Sequence, residues 1–284
     1  MDIIDAHHHV WDLSHRDQQW ITGPELRSLS RDFSLAHLEP EARAAGVRAT
    51  VLVQTVTVAE ETPEFLALAA DSDFVGAVVG WSDLTAPGIA EELARLRSLP
   101  GGEFLAGLRH QVQGEPDPLW LTRPEVLRGL RAVAAAGLAY DLVVVPPQLP
   151  AAVRAAGLVP ELTFVLDHLG KPPIAAGGLR PWADHLRNLA ALPNTVAKLS
   201  GLHTEADPAA WTVDALRPYV DTALDAFGPA RMMFGSDWPV STLAADYTEI
   251  VTTTRDLVSP LSPDEQSAVW SETAHRVYGI PPVG

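Results

Sequence analysis

Short apolar runs alternate with helically spaced segments along almost the whole chain, and that alternation restricts the fold more than any other feature. The runs fall at 3–9, 49–54, 74–81, 104–110, 140–145, 162–168, 195–200 and 232–237. Between them, apolar residues recur every three or four positions over 33–46, 62–70, 89–99, 124–136, 151–156, 182–192 and 208–227. Two more helices, 244–258 and 264–278, follow the last run. Gly46 suits the position that closes the first helix, and Pro63 the first turn of the second. Strands that are apolar throughout belong to a parallel sheet covered by helices. Eight of them in 284 residues predict an α/β fold, a closed (β/α)8 TIM barrel built as a single domain over 1–284. No GxGxxG or GxxxxGK(S/T) loop follows any run, so a dinucleotide-binding or P-loop fold has no support.

Charge and residue usage narrow the chemistry. With 20 Lys+Arg against 36 Asp+Glu, the formal charge of -16 repels phosphate backbones and anionic membrane surfaces, so neither nucleic acid nor a membrane is expected as a partner. The absence of cysteine removes disulfides, thiolate zinc sites and a cysteine nucleophile, leaving any metal to His, Asp or Glu. The start of the chain has no basic region or long apolar core, and no apolar run is long enough for a bilayer; the expected location is the cytoplasm. The sequence leaves the oligomeric state open.

In a barrel of this kind the active site lies where the C-terminal ends of the strands converge, and the polar residues of this chain gather at those ends. His7 and His9 close the first strand, Gln54 the second, Trp81 and Asp83 the third, and Arg109 and His110 the fourth. Asp167 and His168 close the sixth, Lys198 and Ser200 the seventh, and Asp237 and Trp238 the eighth. Charges at nearly every strand end are costly unless they face a wet cleft.

Side chains two apart on a strand share a face, so His7 and His9 point together and His8 points away. Two such imidazoles can share a metal or bracket a carbonyl. Asp237 stands where the strand must stop, before Trp238-Pro239, as a metal ligand or general base. His168 suits a carbonyl donor or metal ligand. Asp167, its neighbour, is expected on the opposite side of the strand. Of Arg109 and His110 only one should line the pocket, and a guanidinium in the barrel needs an anionic or carbonyl partner. Lys198 can extend its amine to solvent, and His203, just past a strand end, is close enough to reach the site. Trp20 lies in an irregular stretch, 13–32, that is long for a plain connection. His15, His37, His185 and His275 read as surface residues.

The runs IDAHHHVWD (4–12), LRHQVQGEPD (108–117), FVLDHLGKPP (164–173), AKLSGL (197–202) and RMMFGSDWPVS (231–241) together resemble the amidohydrolase-2 group of the amidohydrolase superfamily. The likeness is to its sugar-lactone hydrolases, of the L-fuconolactonase and L-rhamnono-lactonase type, and extends to Val277-Tyr278-Gly279. It implies a (β/α)8 barrel with His7, His9, His168 and Asp237 at active-site positions. Two-metal members of the superfamily carry a bridging Lys or Glu after the fourth strand and a His after the fifth. Here Arg109-His110 and Val144-Val145-Pro146 stand at those places. The resemblance therefore implies one divalent ion, Zn²⁺ on His7, His9 and Asp237, or none.

The reaction expected from this set is the opening of a small-molecule aldonolactone by direct water attack. Asp237 is the base, and Arg109, His168 or a metal polarises the carbonyl. Gln54, Asp83, His110, Lys198 and His203 are expected to bind substrate, with Trp20, Trp81 and Trp238 as flat walls for the ring. No GxSxG elbow is present to supply a serine nucleophile. The alternatives are a metal-dependent decarboxylase or hydratase on the same scaffold, and a non-catalytic barrel that keeps the pocket for a sugar acid or lactone.

Overall fold

The computed structural model describes residues 2–281. Its strands are β1 (Ile3–His8), β2 (Val47–Val53), β3 (Val75–Gly80), β4 (Leu105–His110), β5 (Ala139–Leu142), β6 (Phe164–Leu166), β7 (Thr195–Leu199) and β8 (Met232–Phe234). All pair in parallel, in chain order. The seam closes where the Asp237 N–H donates to the His7 carbonyl at 2.8 Å and the His9 N–H to the Trp238 carbonyl at 2.7 Å. This is the expected (β/α)8 barrel.

The outer helices are α1 (Leu35–Ala44), α2 (Glu61–Ala70), α3 (Ile89–Arg97), α4 (Pro124–Ala135), α5 (Leu149–Leu158) and α6 (Trp182–Ala190). A short α7 (Leu202–Glu205) precedes α8 (Val213–Phe227), and α9 (Tyr247–Val258) follows β8. The final helical stretch is expected unbroken over 264–278 but divides into α10 (Pro263–Ser267), a π turn (Ala268–Glu272) and α11 (Thr273–Tyr278). Likewise, helix 208–227 starts only at Val213, where the Thr212 side chain accepts from the Ala215 N–H as its cap. Among the described residues no helix is long and apolar enough to cross a membrane.

Two apolar layers result. The larger packs the outer strand faces against the helices, and the smaller fills the barrel interior with Ile4, Ala6, Val51, Val53, Ala77, Val79, Val165, Val196 and Met233. Ala274, Tyr278 and Ile280 belong to the same inner layer, so the chain's last helix plugs the end of the barrel away from the site.

β1 contains the irregularity that makes the site. Asp5 pairs with Thr50 but His8 with Leu52, so three steps on β1 match two on β2. Such a bulge reverses the inward and outward parity of the strand. Ile4 and Ala6 therefore fill the interior, and beyond the bulge His7 and His9 also point inward. The displaced Asp5 faces the seam, where its carboxylate accepts from the Ser236 N–H (2.8 Å), the Ser236 hydroxyl (2.6 Å) and the Tyr247 hydroxyl (2.9 Å).

Close approach at that seam requires Gly235, where an added Cβ would fall 2.7 Å from the Cβ of His7. Gly235→Ala should lower the unfolding free energy in urea by about 1–3 kcal/mol through overpacking. Gly114→Ala, with no atom within 4 Å of the added carbon, should change it by less than about 0.5 kcal/mol. Equal effects would remove the steric argument.

Candidate active site

At the C-terminal ends of the strands lies a cavity of about 280 Å³. Its floor carries His9, Arg109, His168 and Asp237, and its walls Trp20, Leu26, Val143, Val240 and Leu243. Thr55, Gln111, Gln113, Lys171, Thr204 and Glu205 complete the lining. His7 lies beneath this floor, fully buried.

The strand ends aim these groups. β6 stops at Leu166, and His168 (φ 53°), Leu169 (φ 51°), Gly170 (φ 70°) and Lys171 (φ 54°) form a run in the left-handed region. Left-handed backbone costs L-residues roughly 1–2 kcal/mol each, and such strain collects at functional sites. The turn corrects the expectation that Asp167 and His168 face opposite ways. Both point into the barrel, Asp167 beneath the floor and His168 at it. Asp237, at φ 58°, makes the same kind of turn after β8, pointing its carboxylate inward while Trp238 packs outward against Phe33. Gly201 leaves room for both turns, since a Cβ there would lie 2.6 Å from His168 Nδ1 and 3.0 Å from Asp237 Oδ2.

Hydrogen bonding then fixes the imidazoles. His9 Nδ1 lies 2.7 Å from the Val53 carbonyl, which can only accept. Its proton is therefore on Nδ1, and Nε2 is bare. His168 Nδ1 meets the Ser200 hydroxyl at 2.9 Å, a group that can give or take, so His168 can present Nε2 as either donor or ligand. His7 has choices on both edges: Nδ1 lies 3.3 Å from Asp167 and 3.1 Å from Lys198 Nζ, while Nε2 lies 3.2 Å from His9 Nε2 and from Arg109 Nη1.

Burial holds all three imidazoles toward the neutral form. Desolvation drives His7 well below the ordinary value and His168 to about 4, despite the opposing carboxylates, and it also lowers His9. At Asp237 burial pushes the carboxyl up, but the surrounding imidazoles, His168 foremost with His9 and His7, outweigh it and hold the carboxyl below its ordinary value.

The donor set fits one divalent cation. His7, His168 and Asp237 offer ligand atoms within 4.8 Å of one another. Asp237 Oδ1 lies 3.7 Å from Nε2 of both His7 and His9, and 3.8 Å from His168 Nε2. A tetrahedral ion with bonds of about 2.0–2.1 Å spaces its ligands by roughly 3.3–3.5 Å. With the His7 proton donated to Asp167, the Nε2 atoms of His7 and His9 would meet lone pair to lone pair beside a carboxylate, a contact that a cation satisfies. The mutual cluster is thus His7, His168 and Asp237, with His9 Nε2 at its edge, 3.2 Å from His7 Nε2 and 3.7 Å from Asp237 Oδ1.

Beneath the floor lies a layer of buried ions. Lys198, with no solvent exposure, pairs with Asp141 and, at 3.1 Å, with Asp167. Asp167 also takes a hydrogen bond from Arg109 Nη1 at 3.0 Å. Burial pushes Asp141 up to about 6 against the pull of Lys198. The same burial at Asp167 is overcome by Lys198, His7 and Arg109 together. Arg109 is held from behind by Gln54, whose side-chain oxygen accepts from Nε at 3.0 Å and whose backbone carbonyl accepts from Nη2. Tyr278 rises from the plugging helix to donate to Asp141 at 2.9 Å.

The other expected residues lie apart from the cavity. Gln54 and Lys198 belong to the supporting layer just described, so Lys198 does not extend to solvent. His110 points away from Arg109, accepting from the Trp81 indole at 3.0 Å, meeting Glu115 at 2.8 Å and stacking on Trp120. Asp83 caps its own turn, accepting from the Thr85 N–H at 2.8 Å. His203 is buried edge-on against Trp211. Of the three expected aromatic walls, Trp20 alone lines the cavity. Sequence reasoning did not single out Asp141, Gln111, Lys171 or Glu205. For Asp141 a signal existed: a carboxylate within an otherwise apolar strand requires a buried cation.

The amidohydrolase family profile matches residues 4–280. The chain belongs to the amidohydrolase family. It is 41% identical to an L-fucono-1,5-lactonase of Burkholderia multivorans, covering 98% of this chain and 96% of the relative. An L-fucono-1,5-lactonase of Burkholderia ambifaria is 38% identical, with 98% and 95% covered. A crystal structure of an amidohydrolase from Burkholderia multivorans with zinc bound superposes with a TM-score of 0.93 at 40% identity, covering 99% of this chain and 100% of that one. The His7, His168 and Asp237 cluster of this amidohydrolase could hold a divalent ion.

Two outcomes follow from the geometry. Lys198→Met strands two buried carboxylates and should cost about 3–5 kcal/mol of unfolding free energy. Adding Asp141→Asn should return part of that loss, and no recovery would argue against the pairing. Equilibrium dialysis should find one zinc per chain, lost on replacing His9 and His168 with Gln. Two ions per chain would contradict the site, because Arg109 stands where a bridging ligand is needed.

Proposed function

We propose that this chain, acting as one domain, hydrolyses a sugar aldonolactone of the L-fucono-1,5-lactone class by direct attack of water. The observation that carries the reading is Asp237, a buried carboxylate on the floor of a small cavity that Arg109 also lines, faced by the imidazoles of His7, His9 and His168. The L-fucono-1,5-lactonase relatives support the substrate class.

Asp237 accepts a proton from water as the water oxygen bonds to the lactone carbonyl carbon. Negative charge then gathers on the carbonyl oxygen. Arg109, tethered by Gln54 and Asp167, and His168 in its Nε2–H form are the donors for that charge. The bond from carbon to ring oxygen breaks, and Asp237 returns its proton to the departing oxygen. The product is the open-chain aldonate, its acid proton released to solvent. A divalent ion bound by His7, His9, His168 and Asp237 would supply Lewis acidity and acidify a bound water. Trp20, Leu26, Val143, Val240 and Leu243 provide the apolar surface against which a sugar ring can lie.

Asp237→Asn should reduce kcat for aldonolactone hydrolysis by about 10²–10⁴ while leaving the melting temperature within a few degrees of wild type. The measurement is acid release followed with a pH indicator on aldono-1,5-lactones. A kcat equal to wild type would rule Asp237 out as the base.

A further inference from the structure

The mechanism assigns partners to the lactone carbonyl, the ring oxygen and water, but not to the hydroxyl groups that distinguish a sugar lactone from a plain one. Lys171 and Glu205 line the same cavity, with Nζ and Oε1 3.4 Å apart and both side chains about a quarter exposed (25% and 26%). Neither is used by the mechanism.

Their placement is specific. Lys171 ends the left-handed run that begins at His168, three residues on, so the strained turn that aims His168 also delivers the amine to the cavity wall. Glu205 ends the short helix α7, whose carbonyl at Glu205 accepts from the Ala175 N–H at 3.0 Å. That backbone bond already ties α7 to the segment after Lys171, so the ion pair is not needed as a fastener. A partly exposed pair of this type adds little to stability. Burial raises the Glu205 carboxyl, and the charge of Asp237 raises it further against the pull of Lys171, consistent with both carboxylates facing one cavity.

A carboxylate beside an ammonium complements neighbouring hydroxyls on a ring: one O–H donates to the carboxylate while the adjacent oxygen accepts from the ammonium. The cavity of about 280 Å³, near the ~300 Å³ lower bound of small-molecule sites, suits a single ring. We infer that Lys171 and Glu205 bind a vicinal diol of the substrate and thereby select polyhydroxylated lactones over unsubstituted ones. This inference rests on the lactonase reading and deepens it.

The test compares wild type, Glu205→Gln and Lys171→Met on a hexono-1,5-lactone and on δ-valerolactone, the same ring without hydroxyls. Both variants should raise KM for the hexonolactone about ten- to hundredfold with little change in kcat, as expected for lost hydrogen bonds to charged groups. Their kcat/KM for δ-valerolactone should stay within about twofold of wild type, since that substrate makes no such bonds. Equal losses on both lactones would reassign the pair to a structural role, and no loss on either would remove it from the site. If wild type leaves both lactones intact, the lactonase reading is what fails. The pair is then judged by calorimetric titration with the open-chain hexonate, where unchanged affinity in Glu205→Gln overturns the inference and weakened affinity supports it.

Discussion

Two carboxylates, a lysine and an arginine meet in the centre of the barrel, buried among themselves with only the arginine reaching the cavity, and the site above exists because their charges cancel locally. Asp141, Asp167 and Lys198 are fully buried and Arg109 nearly so. Isolated, each would cost several kcal/mol of desolvation. Arranged as Asp141 to Lys198 to Asp167 to Arg109, every charge has an opposite neighbour. The four come from β5, β7, the turn after β6, and β4, so the layer also fixes the relative heights of the strand ends that carry the chemistry.

From this layer the polarity of the floor follows. Asp167 meets His7 Nδ1 from below and Arg109 meets His7 Nε2 from the side. The seam acts at the same point through its backbone, because the His7 carbonyl takes the Asp237 N–H. A bulge in β1, a glycine after β8 and left-handed turns after β6 and β8 together bring His7, His168 and Asp237 within ligand distance, with His9 beside His7 and Asp237. The strain is local, and the hydrogen-bonded seam and packed core around it are what hold it in place. Fixed donors of this kind need little reorganisation when charge develops in a reaction.

The parts of the fold legible in sequence were those with a period. Each apolar run became a strand, and the chain order of the runs is the order of the sheet. Boundaries shifted where a side chain or turn ended an element early: β6 at the left-handed turn, α8 at its Thr212 cap. At the site, strand alternation made the shared direction of His7 and His9 readable and left one of Arg109 and His110 inward; a guanidinium's need for an anionic or carbonyl partner favoured Arg109. Alternation failed at Asp167 and His168, because the strand had already ended. His110 faces away from Arg109, as alternation required, whereas Trp81 and Trp238, expected as walls because they sit at strand ends, lie outside the cavity. Composition hid Lys171 and Glu205, since nothing local distinguishes a cavity-lining ion pair from a surface one.

By itself, the sequence determined a barrel with chemistry at the strand ends, because hydrophobic periodicity and chain order are local properties. It also determined that any metal would rest on imidazole and carboxylate, because no thiol exists. The tertiary structure alone decided which polar groups meet. Pairing Lys198 with Asp141, assigning the His9 proton to the Val53 carbonyl and bringing His168 beside Asp237 depend on residues tens of positions apart. Their geometry is set by strand register, a bulge and two left-handed turns, none of which leaves a period in the chain.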